Sequence, residues 1–156
     1  AFLREDRPQA VDAIGVASQL VFTTFCLGNF GFDQTDDMEL CYGAATAHNR
    51  MMTDFCSVDP RLLATAYVPL EDFDRAVRTA KEANEMGAKA LMVPSWCPQH
   101  HSPSHTGLFP VWAMAEEAGL VRNKDSFADT LRRDLVILPH ELGPFQIHVL
   151  HFPCAE

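Results

Sequence analysis

Apolar and polar positions along the chain follow a recurring plan, in which an amphipathic helix ends and a short apolar strand comes next. Apolar residues at spacings of three and four indicate the helices. Pro8 suits a first helical position, and Asp72 is a suitable N-cap. Pro60 disfavours helix in the residue before it and so ends the longest helix. With their capping residues, the predicted helices cover 8–14, 36–58, 72–87 and 110–119.

Short runs of nearly all apolar residues separate these helices, at 19–23, 63–68 and 90–93. Such runs are typical of parallel strands that helices cover on both faces. The second and third runs begin 27 residues apart, which is a normal βα repeat. We therefore predict an α/β fold, an incomplete (β/α)8 TIM barrel with three or four parallel strands. Because a complete barrel needs roughly 250 residues, we expect two unpaired strand edges that invite association.

Charge and composition narrow the choice of partners. The chain has 156 residues, as expected for one domain, and a net charge of −9. This acidic balance argues against nucleic acid and anionic membrane surfaces, which both attract basic patches. No apolar run approaches the roughly 20 residues of a membrane helix, and the charged start is no secretory signal. The five cysteines form no C-x-x-C pair, which indicates mostly buried free thiols in a cytoplasmic protein.

The segment SWCPQHHSPSH places Cys97, His100, His101 and His105 within eleven residues. Zinc prefers such ligands. The segment follows the third predicted strand, at the end where barrel active sites lie. Three interpretations stay open: a small metal site, a substrate-facing loop, and a solvated loop without chemistry.

Three segments carry a family resemblance: AHNRMMTDFCSVDPRLLATAYVPLEDFDRAV, EMGAKALMVPS and SPSHTGLFPVWAMAEEAGL. Together they resemble the amidohydrolase-related family, which includes the aminocarboxymuconate-semialdehyde and resorcylate-type decarboxylases. The resemblance covers roughly residues 7–120. The residues that fit the family pattern are Asn49, Phe55, Asp59, Pro60, Pro69, Leu70, Gly87, Pro94, Pro110, Trp112, Glu116, Glu117 and Gly119.

The resemblance implies a metal-dependent hydrolase or nonoxidative decarboxylase that acts on small cyclic or aromatic carboxylates or amides. The implied cofactor is a divalent ion, zinc or manganese. The family takes its first two ligands from an H-x-H or E-x-H motif, which this sequence lacks. We expect that strand to lie before Ala1, and we expect this chain alone to have little or no activity.

The sequence after Leu120 departs from the plan, so we divide the chain into a partial barrel at 1–120 and a divergent tail at 121–156. Where a buried strand should follow, the polar stretch VRNKDSFADTLRRD appears, and the next strand-like run is 135–139. In one explanation, residues 121–142 are an insertion and a delayed strand carries His148 as the third metal ligand. In the other, the tail is unrelated to the family.

Several further residues are candidates for the site. His48 lies on the apolar stripe of the long helix, where a satisfied core histidine is expected more often than a ligand. Asn49 either anchors that helix or faces the rim of the site. A rival hypothesis is a noncatalytic α/β association module that forms a homo-oligomer, and a third is a small zinc-binding protein. The candidates for substrate contact are Thr23, Phe25, Asn29, Trp96, His100, His101 and His105.

Overall fold

The computed structural model describes residues 3–23, 35–94, 98–102 and 104–120 and the backbone of 135–137. The helices are α1 (Arg7–Ile14), α2 (Met38–Cys56), α3 (Phe73–Glu85) and α4 (Phe109–Glu117), and the strands are β1 (Gln19–Val21), β2 (Leu62–Tyr67), β3 (Ala90–Val93) and β4 (Leu135–Ile137). Short 3-10 turns precede α1 and α4, at Arg4–Asp6 and Thr106–Leu108. Within the described ranges, no helix is long and apolar enough to cross a membrane.

The four strands form one sheet in the order β1-β2-β3-β4. The pairs β1–β2 and β2–β3 are parallel, so the predicted α/β fold with three parallel strands and covering helices is confirmed. The strand predicted at 135–139 pairs antiparallel with β3, with Val136 opposite Met92. Within the described ranges, three strands of the sheet are parallel, and the β3 edge expected to be open is paired. A parallel neighbour would need a crossover, usually a helix with an apolar stripe, and the polar stretch 121–134 has no such pattern.

The helix boundaries follow from local side-chain chemistry. Asp37 caps α2 by accepting a hydrogen bond from the Leu40 N–H at 3.0 Å, and Asp72 caps α3 through the Arg75 N–H at 2.8 Å. These bonds satisfy amide groups that a helix leaves free in its first turn. Gly87, with φ of 100°, ends the α3 region in the left-handed conformation that other residues rarely adopt. The predicted start and end of α3 are thus confirmed.

The main core lies between the sheet and the pair α3–α4. Small side chains on α3 let this helix approach the strands closely, and branched apolar side chains from the strands and α4 fill the remaining space. A second cluster joins Val11 of α1 and Cys56 of α2 to Leu62 and Ala64 of β2. The main cluster includes Ala66, Val68, Leu70, Ala76, Ala80, Ala83, Leu91, Val93, Leu108, Val111 and Ala115.

Charged side chains fasten α1 at the start of β2. The Arg61 guanidinium contacts Asp59 at 2.8 Å and Asp12 of α1 at 2.6 Å. Hydrogen bonds from Arg61 hold the pKa of the Asp59 carboxyl below its ordinary value. Nearby, burial raises the pKa of the Cys56 thiol to about 11. Cys41 and Cys56 are both buried, as expected, and buried cysteines behave as small apolar side chains.

Candidate functional site

Polar side chains lie at the carboxyl ends of the parallel strands, which all meet at one end of the sheet. Thr23 lies two residues beyond β1, and Tyr67 is the last residue of β2. The segment 98–108 follows β3 and holds three histidines. In α/β folds, ligands bind in crevices outside the carboxyl ends of the strands. The carboxyl-terminal end of the parallel strands is therefore the candidate site.

Asn49 fastens α2 to the end of β2. Its side chain is completely buried. The carboxamide Nδ2 donates to the Tyr67 carbonyl at 2.9 Å, and Oδ1 accepts from the Tyr67 N–H at 2.7 Å. The register of β1 with β2 ends at Val21 and Ala64, so the amide stands where a longer neighbouring strand would hydrogen-bond. Of the two interpretations of Asn49, helix anchor and rim residue, the contacts show the anchor.

His48 is a buried histidine with hydrogen-bond partners on both ring nitrogens. Nε2 lies 2.6 Å from the Thr23 Oγ1, and Nδ1 lies 3.0 Å from the Asn49 Oδ1. The imidazole meets the Tyr67 ring edge to face, with centroids 6.5 Å apart. Burial lowers the pKa of His48, and the Asn49 hydrogen bond offsets part of that effect. The prediction of a satisfied core histidine is confirmed.

Two of the histidines after β3 pack on an aromatic ring. His105 stacks on Phe73 with centroids 4.8 Å apart, and its Nδ1 accepts a hydrogen bond from the Gly107 N–H at 3.0 Å. The His101 ring packs on the same Phe73 ring, with centroids 4.5 Å apart. Its ring nitrogens lie 3.0 Å from the Ser102 carbonyl and 3.3 Å from the Glu71 carbonyl. The Nδ1 of His105 and both ring nitrogens of His101 therefore lie within hydrogen-bond distance of main-chain groups.

The same segment is tied to the junction between β2 and α3. Both carboxylate oxygens of Glu71 accept a hydrogen bond from the Gln99 N–H at 3.0 Å. A Cβ atom at Gly107 would meet the Phe73 ring at 2.7 Å, so a glycine is required for this close approach. The segment is thus held against the start of α3, while His100 stays exposed.

The described residues do not contain a group of three histidine, cysteine, aspartate or glutamate side chains that could hold a metal ion. His101 and His105 are near neighbours, with ring centroids 5.7 Å apart. Cys97, the thiol that the metal-site interpretation of this segment includes, lies outside the described residues. The candidates Phe25, Asn29, Trp96 and His148 also lie outside the described residues.

No pattern in the sequence predicted that Thr23 contacts His48, or that Glu71 and Phe73 hold the histidine segment. Thr23 and His48 are 25 residues apart in the sequence, and no spacing rule links a strand end to the middle of the next helix. One available signal was the polar pair His48–Asn49 within an otherwise apolar stripe. Trp112 packs partly buried against the main core.

Comparisons with protein-family models, with curated proteins and with solved structures gave no match for this chain.

Proposed function

We propose that this chain is part of a metal-dependent hydrolase or nonoxidative decarboxylase of the amidohydrolase-related type. In this proposal its three parallel strands belong to a (β/α)8 barrel, and its substrates are small cyclic or aromatic carboxylates or amides. The observation that carries the proposal is that Thr23, which contacts His48, follows β1 and the histidine segment follows β3, both at the carboxyl ends of the parallel strands. Active sites of such barrels lie at that face.

The proposed cofactor is zinc or manganese, which would polarise a carboxylate or activate water. His148 is the proposed ligand from this chain. His100, His101 and His105 are proposed as rim residues rather than ligands, because His101 and His105 pack on Phe73 and are engaged with main-chain groups. The described residues supply no complete ligand set, so we assign no reaction step through a metal to them.

The test compares this chain with a longer protein that includes the adjoining coding sequence. Each is supplied with zinc or manganese, and bound metal, carbon dioxide release from aromatic carboxylates and amide hydrolysis are measured. We expect the longer protein to bind metal and to lose its turnover with a chelator, and the chain alone to have little or none. Comparable turnover by both, or a longer protein without metal or turnover, would contradict the proposal.

A second candidate is a noncatalytic module that works by association. The observation in its favour is that, within the described part of the chain, β1 pairs on one side only, with β2. Size-exclusion chromatography with light scattering separates the candidates. A stable oligomer of one defined size favours the module, whereas a polydisperse sample favours part of a barrel.

A further inference from the structure

Thr23, His48 and Asn49 form a continuous hydrogen-bonded chain from the surface into the core. The Thr23 Oγ1 lies 2.6 Å from the His48 Nε2, and the His48 Nδ1 lies 3.0 Å from the Asn49 Oδ1. Thr23 is partly exposed, whereas His48 and Asn49 are buried. A hydroxyl next to a base that a third group orients is the arrangement used to activate weak nucleophiles.

The contacts of Asn49 determine which nitrogen of His48 carries the proton. Because Oδ1 of Asn49 accepts from the Tyr67 N–H and Nδ2 donates to the Tyr67 carbonyl, the orientation of the amide is set. Oδ1 can only accept, so the His48 Nδ1 must donate to it. In the neutral ring the lone pair therefore lies on Nε2 and faces the Thr23 hydroxyl.

We propose that Thr23 is a nucleophile that accepts the acyl group of small activated esters, with His48 as its general base and Asn49 as the positioning residue. The Thr23 Oγ1 forms a bond to the ester carbonyl carbon, and its proton passes to the His48 Nε2. The bond from that carbon to the alcohol oxygen breaks, and His48 returns the proton to the leaving alkoxide. Water then releases the acid by the same steps and restores Thr23.

Both protonation states of His48 keep their hydrogen bonds, as this cycle requires. In the protonated ring, Nε2 donates to the Thr23 Oγ1, and the hydroxyl can turn to the Met52 Sδ at 2.7 Å. In the neutral ring, the hydroxyl donates to Nε2. Burial lowers the pKa of His48, which favours the neutral base at neutral pH. The cycle uses no metal, so it is independent of the function proposed above.

The experiment is acetylation of the chain by p-nitrophenyl acetate in the presence of a chelator. At early times, before water releases the acid, we expect one acetyl group per chain by intact mass, located at Thr23 by peptide mapping. Thr23→Val should abolish it, and Thr106→Val, which removes an exposed hydroxyl on the turn before α4, should not change it. Loss of the His48 base through His48→Gln should slow acetylation of Thr23 by roughly 100-fold. Acetyl located elsewhere, or equal labelling in Thr23→Val, would overturn the proposal.

Two measurements keep the proposal testable where a variant fails to fold. Thr23→Ser retains the hydroxyl and should still be acetylated, at a rate that rises with pH as His48 loses its proton. In the native chain, nitrogen NMR with labelled histidine should show that Nδ1 of His48 is protonated and Nε2 is unprotonated when the ring is neutral. The opposite tautomer would overturn the proposal, and this readout does not depend on folding of a variant.

Discussion

Single buried polar side chains decide how the strand ends are held at the candidate site. Asn49 supplies one donor and one acceptor to the main chain of Tyr67, beyond the point where β1 stops pairing. A buried main-chain group that loses its hydrogen bond costs about 1–3 kcal/mol. The position of α2 on the sheet therefore depends on this one amide as well as on apolar contacts.

Replacement of Asn49 by alanine should lower the free energy of unfolding by about 3 kcal/mol, because two buried main-chain groups of Tyr67 lose these hydrogen bonds. Urea denaturation followed by circular dichroism measures the change. Arg50→Ala, at the exposed neighbouring position, should change stability by less than about 0.5 kcal/mol. Equal effects of the two substitutions would show that the amide does not anchor α2.

The stability of the fold should depend on the protonation of His48. Burial lowers its pKa below the ordinary value of 6.5, so the unfolded chain binds a proton more readily. The contribution of His48 is complete above the unfolded pKa and is lost as the pH falls through the folded pKa. We expect the free energy of unfolding to decrease as the pH falls below the ordinary histidine value of 6.5, and His48→Gln to flatten this dependence. An unchanged slope in the variant would assign the effect to other groups.

At the scale of elements, the helix caps determine where the chain turns toward the candidate site. The Asp72 side chain begins α3, and its main-chain N–H and carbonyl also contact the Tyr42 hydroxyl, at 2.9 and 3.0 Å. Tyr42 belongs to α2 and is buried, and burial raises the pKa of its hydroxyl. This junction thus joins α2, the end of β2 and the start of α3.

Asp72→Ala should destabilise the protein by about 1 kcal/mol, since the Arg75 N–H loses its cap while the main-chain contacts to Tyr42 remain. Thermal unfolding or urea denaturation measures the loss. Asp74→Ala, also in the first turn but exposed, removes only a favourable interaction with the helix dipole and should cost a few tenths of a kcal/mol. A larger loss for Asp74→Ala than for Asp72→Ala would reverse this assignment.

Two glycines should respond in opposite directions to alanine. At Gly107 the added Cβ would meet the Phe73 ring at 2.7 Å, so we expect destabilisation by about 1–3 kcal/mol and loss of the His105–Phe73 stack. At Gly43, an exposed position within α2 with open space around it, alanine should stabilise the helix by up to about 1 kcal/mol. Urea denaturation, with the histidine ring signals in NMR, checks both.

The sequence was sufficient to predict the helices and strands but not the contacts between them. Residues that act within a few positions, such as the Asp72 cap and Gly87, place α3, and the apolar run at 90–93 matches β3. The direction of β4 depends on the strand it meets, which its own residues do not encode. The pairing of Thr23 with His48 likewise depends on where α2 packs, and the packing of His101 and His105 depends on Phe73.

At the scale of the whole molecule, the two sides of the described sheet differ in strand direction, since β1 is parallel to its neighbour and β4 is antiparallel to its neighbour. β3 is paired antiparallel by β4, which is the edge strand on that side. Within the described part of the chain, β1 pairs only with β2. The net charge of −9 opposes close approach of two copies at neutral pH. Association through β1 should therefore strengthen with added salt, which screens that repulsion.

Substitutions at Leu20 test whether copies of the chain associate through the open side of β1. Because the Gln19 N–H donates to the carbonyl of Arg61, directly before β2, at 2.8 Å, the main-chain groups of the next residue point to the other side of β1. Leu20→Pro removes an edge donor without removing a β1–β2 hydrogen bond, whereas Leu20→Ala shortens the side chain and keeps the donor. In size-exclusion chromatography with light scattering at high salt, we expect wild type and Leu20→Ala to associate and Leu20→Pro to remain monomeric. If Leu20→Pro associates as wild type does, the interface does not use this edge.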